Sequence, residues 1–151
     1  LIPLGDIADV TGTPFDFRTA RTLDAGFDPA DPQLRVGGGY DHCLVLDAHG
    51  RDAPGHTATL YSPHSGIAMR IDSDAPALQL YDGHALDHQH PGIGRGLCLE
   101  PQGFPHAPNR PGSPEAILRP GPVYRPRIEY RFAAPGRDCG WDAVVAALDR
   151  A

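Results

Sequence analysis

The sequence contains no lysine: all 13 basic residues are arginines, and they are scattered along the chain. A nucleic-acid surface needs grouped cations that displace counterions from the phosphates. Since the formal net charge is also −6, we do not expect the chain to bind nucleic acid. A run of ~18 apolar residues that could span a bilayer is missing as well, so no membrane partner is expected.

Cysteine is also scarce. Cys43, Cys98 and Cys139 are widely spaced, and no Cys-x-x-Cys pair occurs. This spacing excludes the usual zinc-knuckle and redox motifs. An odd number of distant cysteines argues against a disulfide scaffold and favours a reducing compartment. We therefore expect a cytoplasmic location.

Glycine and proline, in contrast, are abundant, with 18 and 17 residues respectively among 151. Helix interiors tolerate neither residue, so the composition favours short strands joined by turns. Apolar and polar residues also alternate in several short segments, which is the pattern of half-buried strands. These segments are IAMRID at 67–72, RIEYRF at 127–132, TATLY at 57–61, ALQLY at 77–81 and CLVLD at 43–47. The sequence predicts an all-β fold, either a sandwich or a barrel.

Two segments differ from this pattern. Residues 19–36 are polar and rich in turn formers, and they predict a surface excursion with a short helical turn. The stretch CGWDAVVAALDRA at 139–151 predicts a helix, because its apolar residues recur at helical spacing: Trp141, Val144, Val145 and Leu148. We expect a β domain over residues 1–132 and a tail containing this helix over residues 133–151.

A possible catalytic carboxylate follows the apolar run at 97–99. This run leads directly into Glu100, and prolines follow at positions 101, 105 and 108. A carboxylate at the end of a buried strand is partly desolvated, which makes it a better proton acceptor. The prolines would stiffen the loop beside it. The same pattern also fits a glutamate that ends a strand and faces water, and the local sequence does not decide between the two.

A second group of polar residues lies in GGGYDHCLVLD at 37–47, where Tyr40, Asp41 and His42 follow three glycines. A carboxylate accepts hydrogen bonds from hydroxyl groups and an aromatic ring packs on a sugar face, so the group suits a hydroxyl-rich ligand. The glycines lack the GxxxxGK[ST] spacing of a phosphate-binding loop. A glycine hairpin with incidental polar residues explains the segment at least as well.

Histidines and serines give weaker signals. His84, His88 and His90 lie close enough in sequence to ligate zinc or nickel. Their segment is typical of a Gly/Pro loop, where histidines usually hydrate freely, so we do not predict a metal site. Ser65 lies outside any GxSxG motif and has no identifiable base, which disfavours a serine nucleophile.

Five motifs in order resemble the C-terminal half of the aldose 1-epimerases, the galactose mutarotase family. They are VTGTPFDFR at 10–18, GYDHCLVLD at 39–47, ALQLYDG at 77–83, GLCLEPQGFPHAPN at 96–109 and ILRPGPVYRPRIEYRF at 117–132. The resemblance covers nearly all of residues 2–132. It implies an antiparallel β-sandwich of the galactose mutarotase-like type, of which this chain would be the C-terminal portion.

The resemblance implies an activity and a set of site residues. Members interconvert the α and β anomers of a free aldose such as galactose or glucose. For this chain we expect no cofactor and no metal. A glutamate takes the proton of the C1 hydroxyl while a histidine protonates the ring oxygen. Glu100 occupies the place of that catalytic glutamate and Asp41 that of a sugar-binding aspartate. Tyr81 and Gly83 lie in a segment that looks like the family's strand near the pocket, and Tyr81 is taken as a candidate sugar-binding residue. Pro101 stands where many relatives have threonine, which leaves the carboxylate in place.

The resemblance also implies what this chain lacks. The acid histidine and further sugar-binding residues belong to the family's N-terminal half, which nothing here resembles. We therefore expect a fragment that is inactive by itself, with a missing N-terminal half or self-association as its protein partner. The alternatives are a non-catalytic carbohydrate-binding module on the same half-sandwich and a sugar-phosphate epimerase relative. The scattered arginines reveal no phosphate pocket for the latter.

Overall fold

The described part of the chain is built mainly from short strands. The computed structural model describes residues 2–3, 5–47, 53–86, 90, 96–111 and 116–151. The strands are β1 Asp41–Val45, β2 Gly55–Ser62, β3 Ile67–Ser73, β4 Ala77–Tyr81, β5 Cys98–Gln102 and β6 Ile128–Ala133. Helices α1 and α2 span Pro32–Gly37 and Trp141–Leu148, and 3-10 turns span Asp24–Gly26 and Ala107–Asn109.

The strands form two antiparallel sheets of three strands each. The first sheet has the order β1-β4-β5, and the second sheet has the order β2-β3-β6. Each segment with period-two alternation overlaps one of these strands, and ALQLY is β4 itself. The predicted all-β, sandwich-like class is confirmed, and so is the short C-terminal helix.

The first sheet has one apolar and one polar face because side chains alternate along each strand. In β4, Leu78 and Leu80 are buried on one side while Gln79 and Tyr81 point to the other. The apolar face packs against a cluster rich in aromatic rings. Its buried members are Leu34, Tyr40 and Leu80, and the partly buried side chains around them are Phe15, Phe17, Leu23, Leu44, Leu97 and Leu99.

Helix α1 contributes Leu34 to this core, and its ends explain its short length. Asp31 caps the N-terminus, where its carboxylate accepts hydrogen bonds from the backbone N–H groups of Gln33 and Leu34 at 2.8 and 3.1 Å. Pro32 follows at the first helical position, where its missing N–H costs nothing. Gly38 ends the helix with a φ of 72°, in the left-handed region that favours glycine. The predicted excursion at 19–36 therefore does contain a short helix.

Helix α2 covers one face of the second sheet. Val144 and Leu148 are buried against Ala68 of β3, with Tyr61 and Cys139 packed around them. The hydroxyl of Tyr61 donates to the carbonyl of Gly136 at 2.7 Å, which ties the segment before the helix to β2.

The opposite face of the second sheet remains partly open. Its β6 side chains Ile128, Tyr130 and Phe132 are 42%, 51% and 61% exposed. They lie beside Ser73, Ile71 and Met69 of β3 in the register of the sheet. In the part of the chain that the structure describes, no helix is long and apolar enough to cross a membrane.

Candidate active site

The residues expected from the sequence lie on one face of the first sheet. Asp41 of β1 pairs with Tyr81 of β4, and Glu100 of β5 pairs with Gln79 of β4. Paired residues in antiparallel strands point to the same side of a sheet. We call this side the polar face; its members are Asp41, Cys43, Val45, Ala77, Gln79, Tyr81, Cys98, Glu100 and Gln102.

A row of hydrogen bonds crosses the polar face. The amide Nε2 of Gln79 donates to Oδ1 of Asp41 at 2.7 Å, and Nε2 of Gln102 donates to Oε1 of Gln79 at 3.4 Å. The central strand thus connects Asp41 to the strand that carries Glu100. β1 and β5 lie two strand spacings apart, about 10 Å, a separation that a small ligand can bridge.

Gln79 and Gln102 were not predicted as site residues from the sequence. A signal for Gln79 was present, because it is a polar residue in the middle of an apolar strand. It lies two residues before Tyr81, so the two side chains point to the same face. Gln102 likewise lies two residues after Glu100, on the same face of its strand. The contact between the two side chains depends on the register of β4 against β5, which no local pattern contains.

Glu100 differs from the expectation in position and in burial. It is the third residue of β5, which continues through Pro101 to Gln102, so it does not end the strand. Its side chain is exposed and lacks the partial desolvation expected for it. The reason is that β5 lies at the edge of the sheet and Glu100 points to the open face. An edge position also accommodates Pro101, which cannot donate to a neighbouring strand.

The loop after β5 is held by successive turns. The backbone N–H of Ala107 donates to the carbonyl of Phe104 at 3.2 Å, and that of Asn109 donates to the carbonyl of His106 at 3.0 Å. His106 has a φ of 62°, which lies in the left-handed region. Ala107 is buried. Local backbone hydrogen bonds therefore hold the loop that directly follows β5.

Of the three residues in the YDH group, only Asp41 lies on the polar face. Tyr40 is 1% exposed in the apolar core, where its hydroxyl donates to the carbonyl of Pro14 at 3.0 Å. Of the two interpretations of this segment, the buried ring of Tyr40 disfavours the one in which that ring packs on a sugar. His42 also faces the core and contacts the ring of Phe15, with 4.6 Å between centroids. Consecutive strand residues point to opposite faces, so the group cannot act together.

Burial perturbs the ionisable groups next to Asp41. Desolvation lowers the pKa of His42, although the charge of Asp41 acts in the opposite direction. The Nδ1 atom of His42 accepts a hydrogen bond from the backbone N–H of Asp41 at 3.1 Å, which fits the neutral ring. Burial also raises the pKa of the Cys43 thiol, and a hydrogen bond with Gln102 partly offsets this rise. The burial of His42 therefore favours its neutral ring, and the burial of Cys43 favours its protonated thiol.

Tyr81 leads into a constrained loop at the end of β4. Its hydroxyl accepts a hydrogen bond from the backbone N–H of Ala85 at 3.2 Å, and its ring contacts His84 edge-on at 5.2 Å. The Nδ1 atom of His84 lies 2.7 Å from a carboxylate oxygen of Asp82. Gly83 has a φ of 68°, and a Cβ there would lie 2.2 Å from the carbonyl oxygen of Gly96. The close approach of the segment after β4 to the segment before β5 therefore requires glycine.

Within the described residues, no group of three or more histidine, cysteine or acidic side chains could hold a metal ion. His84 is occupied with Asp82, and His88 lies outside the described residues. Among the clefts formed by the described residues, two lie away from the polar face. One of about 480 Å³ is lined in part by Thr13 and Arg21, and one of about 320 Å³ in part by Phe27 and Asp82. On the polar face, Glu100 is exposed, Asp41, Gln79 and Gln102 are half-buried, and Ala77 is fully buried.

Comparison with known proteins identifies the family. Residues 1–131 match the family model described as aldose 1-epimerase. The chain belongs to the aldose 1-epimerase family. It is 37% identical to the aldose 1-epimerase of Escherichia coli (strain K12) over 142 residues, which is 88% of this chain and 40% of that protein. It is 32% identical to the galactose mutarotases of Homo sapiens and Mus musculus over 140 residues, 88% of this chain and 39% of each. The chain thus spans about two fifths of the length of these relatives.

Proposed function

We propose that this chain carries the general base and part of the sugar-binding surface of an aldose 1-epimerase that acts on a free aldose such as galactose or glucose. The observation that carries the proposal is the shared polar face, where Asp41, Gln79, Tyr81 and Glu100 lie side by side. None of the strand residues on this face is basic, so it offers carboxylate and amide groups to a neutral, hydroxyl-rich ligand.

Glu100 is the proposed base. Its exposed carboxylate accepts the proton of the C1 hydroxyl while an acid protonates the ring oxygen, and the bond between C1 and the ring oxygen breaks. The aldehyde end then rotates about the adjoining carbon–carbon bond. On closure the acid recovers its proton from the ring hydroxyl and Glu100 returns its proton to the C1 oxygen. The product is the other anomer, and both groups regain their starting protonation states.

Asp41 and Gln79 are proposed to orient the sugar. One carboxylate oxygen of Asp41 accepts from Gln79, which leaves the second oxygen as an acceptor for a sugar hydroxyl. Tyr81 lies directly across from Asp41, and its hydroxyl can still donate, since its bond with Ala85 uses it as an acceptor. Holding the sugar at these points would place C1 within reach of Glu100.

The acid is proposed to come from outside this chain. Among the strand residues of the polar face there is no histidine, His42 faces the core, and His84 is engaged with Asp82. A positioned general acid typically contributes ~10²–10⁴-fold to the rate. We therefore propose that the 151-residue chain alone gives little or no mutarotation.

The first test combines polarimetry with a binding titration. Pure α-D-galactose is followed by polarimetry with the 151-residue chain, and D-galactose binding is measured by calorimetry. We expect no acceleration above buffer and weak, specific binding that falls at least tenfold in Asp41→Asn. The exposed Asp6→Asn serves as the matched control. A rate near that of a full-length relative would contradict the proposed absence of the acid, and unchanged binding in Asp41→Asn would remove Asp41 from the site.

Glu100→Gln tests the base. In a full-length protein that carries this sequence, we expect mutarotation to fall at least 10²-fold because the amide cannot accept the C1 proton. Sugar affinity should change less than threefold. Glu129→Gln, an exposed glutamate on the second sheet, is the matched control. If the full-length protein binds sugar but shows no turnover even with Glu100 intact, the alternative of a non-catalytic carbohydrate-binding module replaces the epimerase.

A further inference from the structure

Three side chains on three neighbouring strands form a directed row of hydrogen bonds on the polar face. Gln102 of β5 donates to Gln79 of β4, which donates to Asp41 of β1, at 3.4 and 2.7 Å. All three side chains are half-buried. Because each residue belongs to a different paired strand, the sheet holds the three backbone positions fixed relative to one another.

The chemistry of the three groups fixes the direction of the row. An ionised aspartate only accepts hydrogen bonds, so the nitrogen of the Gln79 amide must face Asp41. The oxygen of that amide therefore points towards β5, where it needs a donor. Gln102 supplies one through its own amide nitrogen, and it also hydrogen-bonds to Cys43. In the reverse orientation the Gln79 oxygen would lie against a carboxylate oxygen, and two acceptors would face each other.

We propose that Gln102 is a positioning residue that holds the amide oxygen of Gln79, so that Gln79 presents its second N–H, beside the carboxylate of Asp41, to two adjacent hydroxyl groups of the sugar. This inference rests on the proposed function of the polar face. One N–H donor next to one carboxylate acceptor matches a vicinal diol, in which one hydroxyl accepts while its neighbour donates. Gln102 itself does not touch the sugar.

Two substitutions at the same position separate this role from packing. Gln102→Met keeps the length of the side chain and removes the donor. A lost hydrogen bond of this kind is expected to weaken D-galactose binding roughly three- to tenfold. Gln102→Glu places an acceptor against the Gln79 oxygen and should weaken binding more than tenfold at pH 7. As the pH is lowered towards 5, affinity relative to the unsubstituted chain should partly recover, because a protonated carboxyl group can donate again.

A double variant tests the direction of the row. In Asp41→Asn with Gln102→Glu, the carboxylate and the amide exchange ends, so Gln79 can turn over and again make both hydrogen bonds. The Gln79 side chain should then be as well ordered as in the unsubstituted chain. Sugar binding should nevertheless be lost, because the carboxylate at position 41 is absent. If Gln102 acted only through packing, the double variant would not restore the order of the Gln79 side chain while sugar binding is lost.

The readout is the side-chain amide resonances of Gln79 in the 15N-labelled 151-residue chain, assigned by their loss in Gln79→Leu. In the unsubstituted chain we expect well-separated resonances for the two amide protons of Gln79. In Gln102→Met and Gln102→Glu these resonances should converge because the side chain becomes mobile. The double variant should restore them, and Gln33→Met, at an exposed position of α1, should leave them unchanged. The backbone amide spectrum of each variant reports whether the sheet is intact.

The outcomes are distinct. Unchanged Gln79 resonances in a folded Gln102→Met chain, together with D-galactose affinity within twofold, would overturn the proposal. If the Gln79 resonances respond as expected but the unsubstituted chain binds no D-galactose, Gln102 still positions Gln79, and the proposed sugar-binding function fails instead. Resonance changes accompanied by the expected loss of affinity support both.

Discussion

The two sheets differ in which face they leave open. In the first sheet, aromatic side chains cover the apolar face, and the face left open is polar and crossed by the row from Gln102 to Asp41. In the second sheet, α2 covers one face, and the face left open carries the exposed apolar side chains of β6. The candidate ligand surface and the exposed apolar side chains of β6 therefore lie on different sheets.

This difference affects how each sheet is stabilised. The first sheet depends on a core in which three phenylalanine rings surround one buried tyrosine at centroid distances of 5.6–6.0 Å. The second sheet has a smaller cluster under α2, supplemented by an ion pair between Arg70 and the buried Asp72 at 2.8 Å. We therefore expect aromatic truncation to affect the first sheet most and charge removal to affect the second sheet most.

The largest expected effect is at Tyr40. Tyr40→Ala removes a fully buried ring and the hydrogen bond to Pro14, so the free energy of unfolding should fall by about 3–5 kcal/mol. Urea unfolding followed by circular dichroism measures this change. Tyr124→Ala, at a side chain that is 73% exposed, should change it by less than about 0.5 kcal/mol. A similar small loss at both positions would mean that the aromatic cluster does not stabilise the first sheet.

Arg70→Met is the corresponding test of the second sheet. It leaves the carboxylate of Asp72, 5% exposed, without its guanidinium partner. Removing one member of a buried pair costs about 3–5 kcal/mol, and we expect about 2 kcal/mol here because Arg70 is 26% exposed. Urea unfolding at pH 7 measures the loss, with the exposed Arg35→Met as control. Equal stability of the two variants would show that the ion pair between Arg70 and Asp72 does not stabilise the fold.

The fold was predictable because alternation is a local property. Each alternating segment became a strand, and the helical spacing from Trp141 to Leu148 became α2. The errors concern neighbouring residues, because consecutive side chains along a strand point to opposite faces of the sheet. Tyr40 and His42 are even-numbered neighbours of Asp41, and strand geometry sends them to the core, away from the ligand face.

The candidate site was predictable only in part, because its geometry depends on pairing between distant segments. Motifs located Asp41, Tyr81 and Glu100, and the strand register places all three on one face. The contact between Gln79 and Asp41 joins residues 38 positions apart, so no local pattern could reveal it. The exposure of Glu100 likewise follows from the edge position of β5, which is a property of the whole sheet.

The smallest expected effect concerns the pH dependence of the free energy of unfolding. The two sheets should lose stability in different pH ranges. Burial lowers the pKa of His42 below its ordinary value of 6.5, so the unfolded chain takes up a proton first as the pH falls. The free energy of unfolding should therefore decrease as the pH drops below about 6.5, by at most about 1.4 kcal/mol per pH unit. His42→Phe should abolish this slope, and the exposed His64→Phe should leave it unchanged.

The second sheet should respond to acid in a lower range. Burial alone would raise the pKa of Asp72, but hydrogen bonds and the charge of Arg70 outweigh it, so the pKa lies below 3.8. The stabilisation from this carboxylate is complete above that value and is lost only as the pH falls through the lowered pKa. Unfolding measured from pH 7 to pH 3 should thus show a first decline that depends on His42 and a later one that depends on Arg70. A single decline below pH 4, unaffected by His42→Phe, would mean that His42 readily takes up its proton within the folded first sheet.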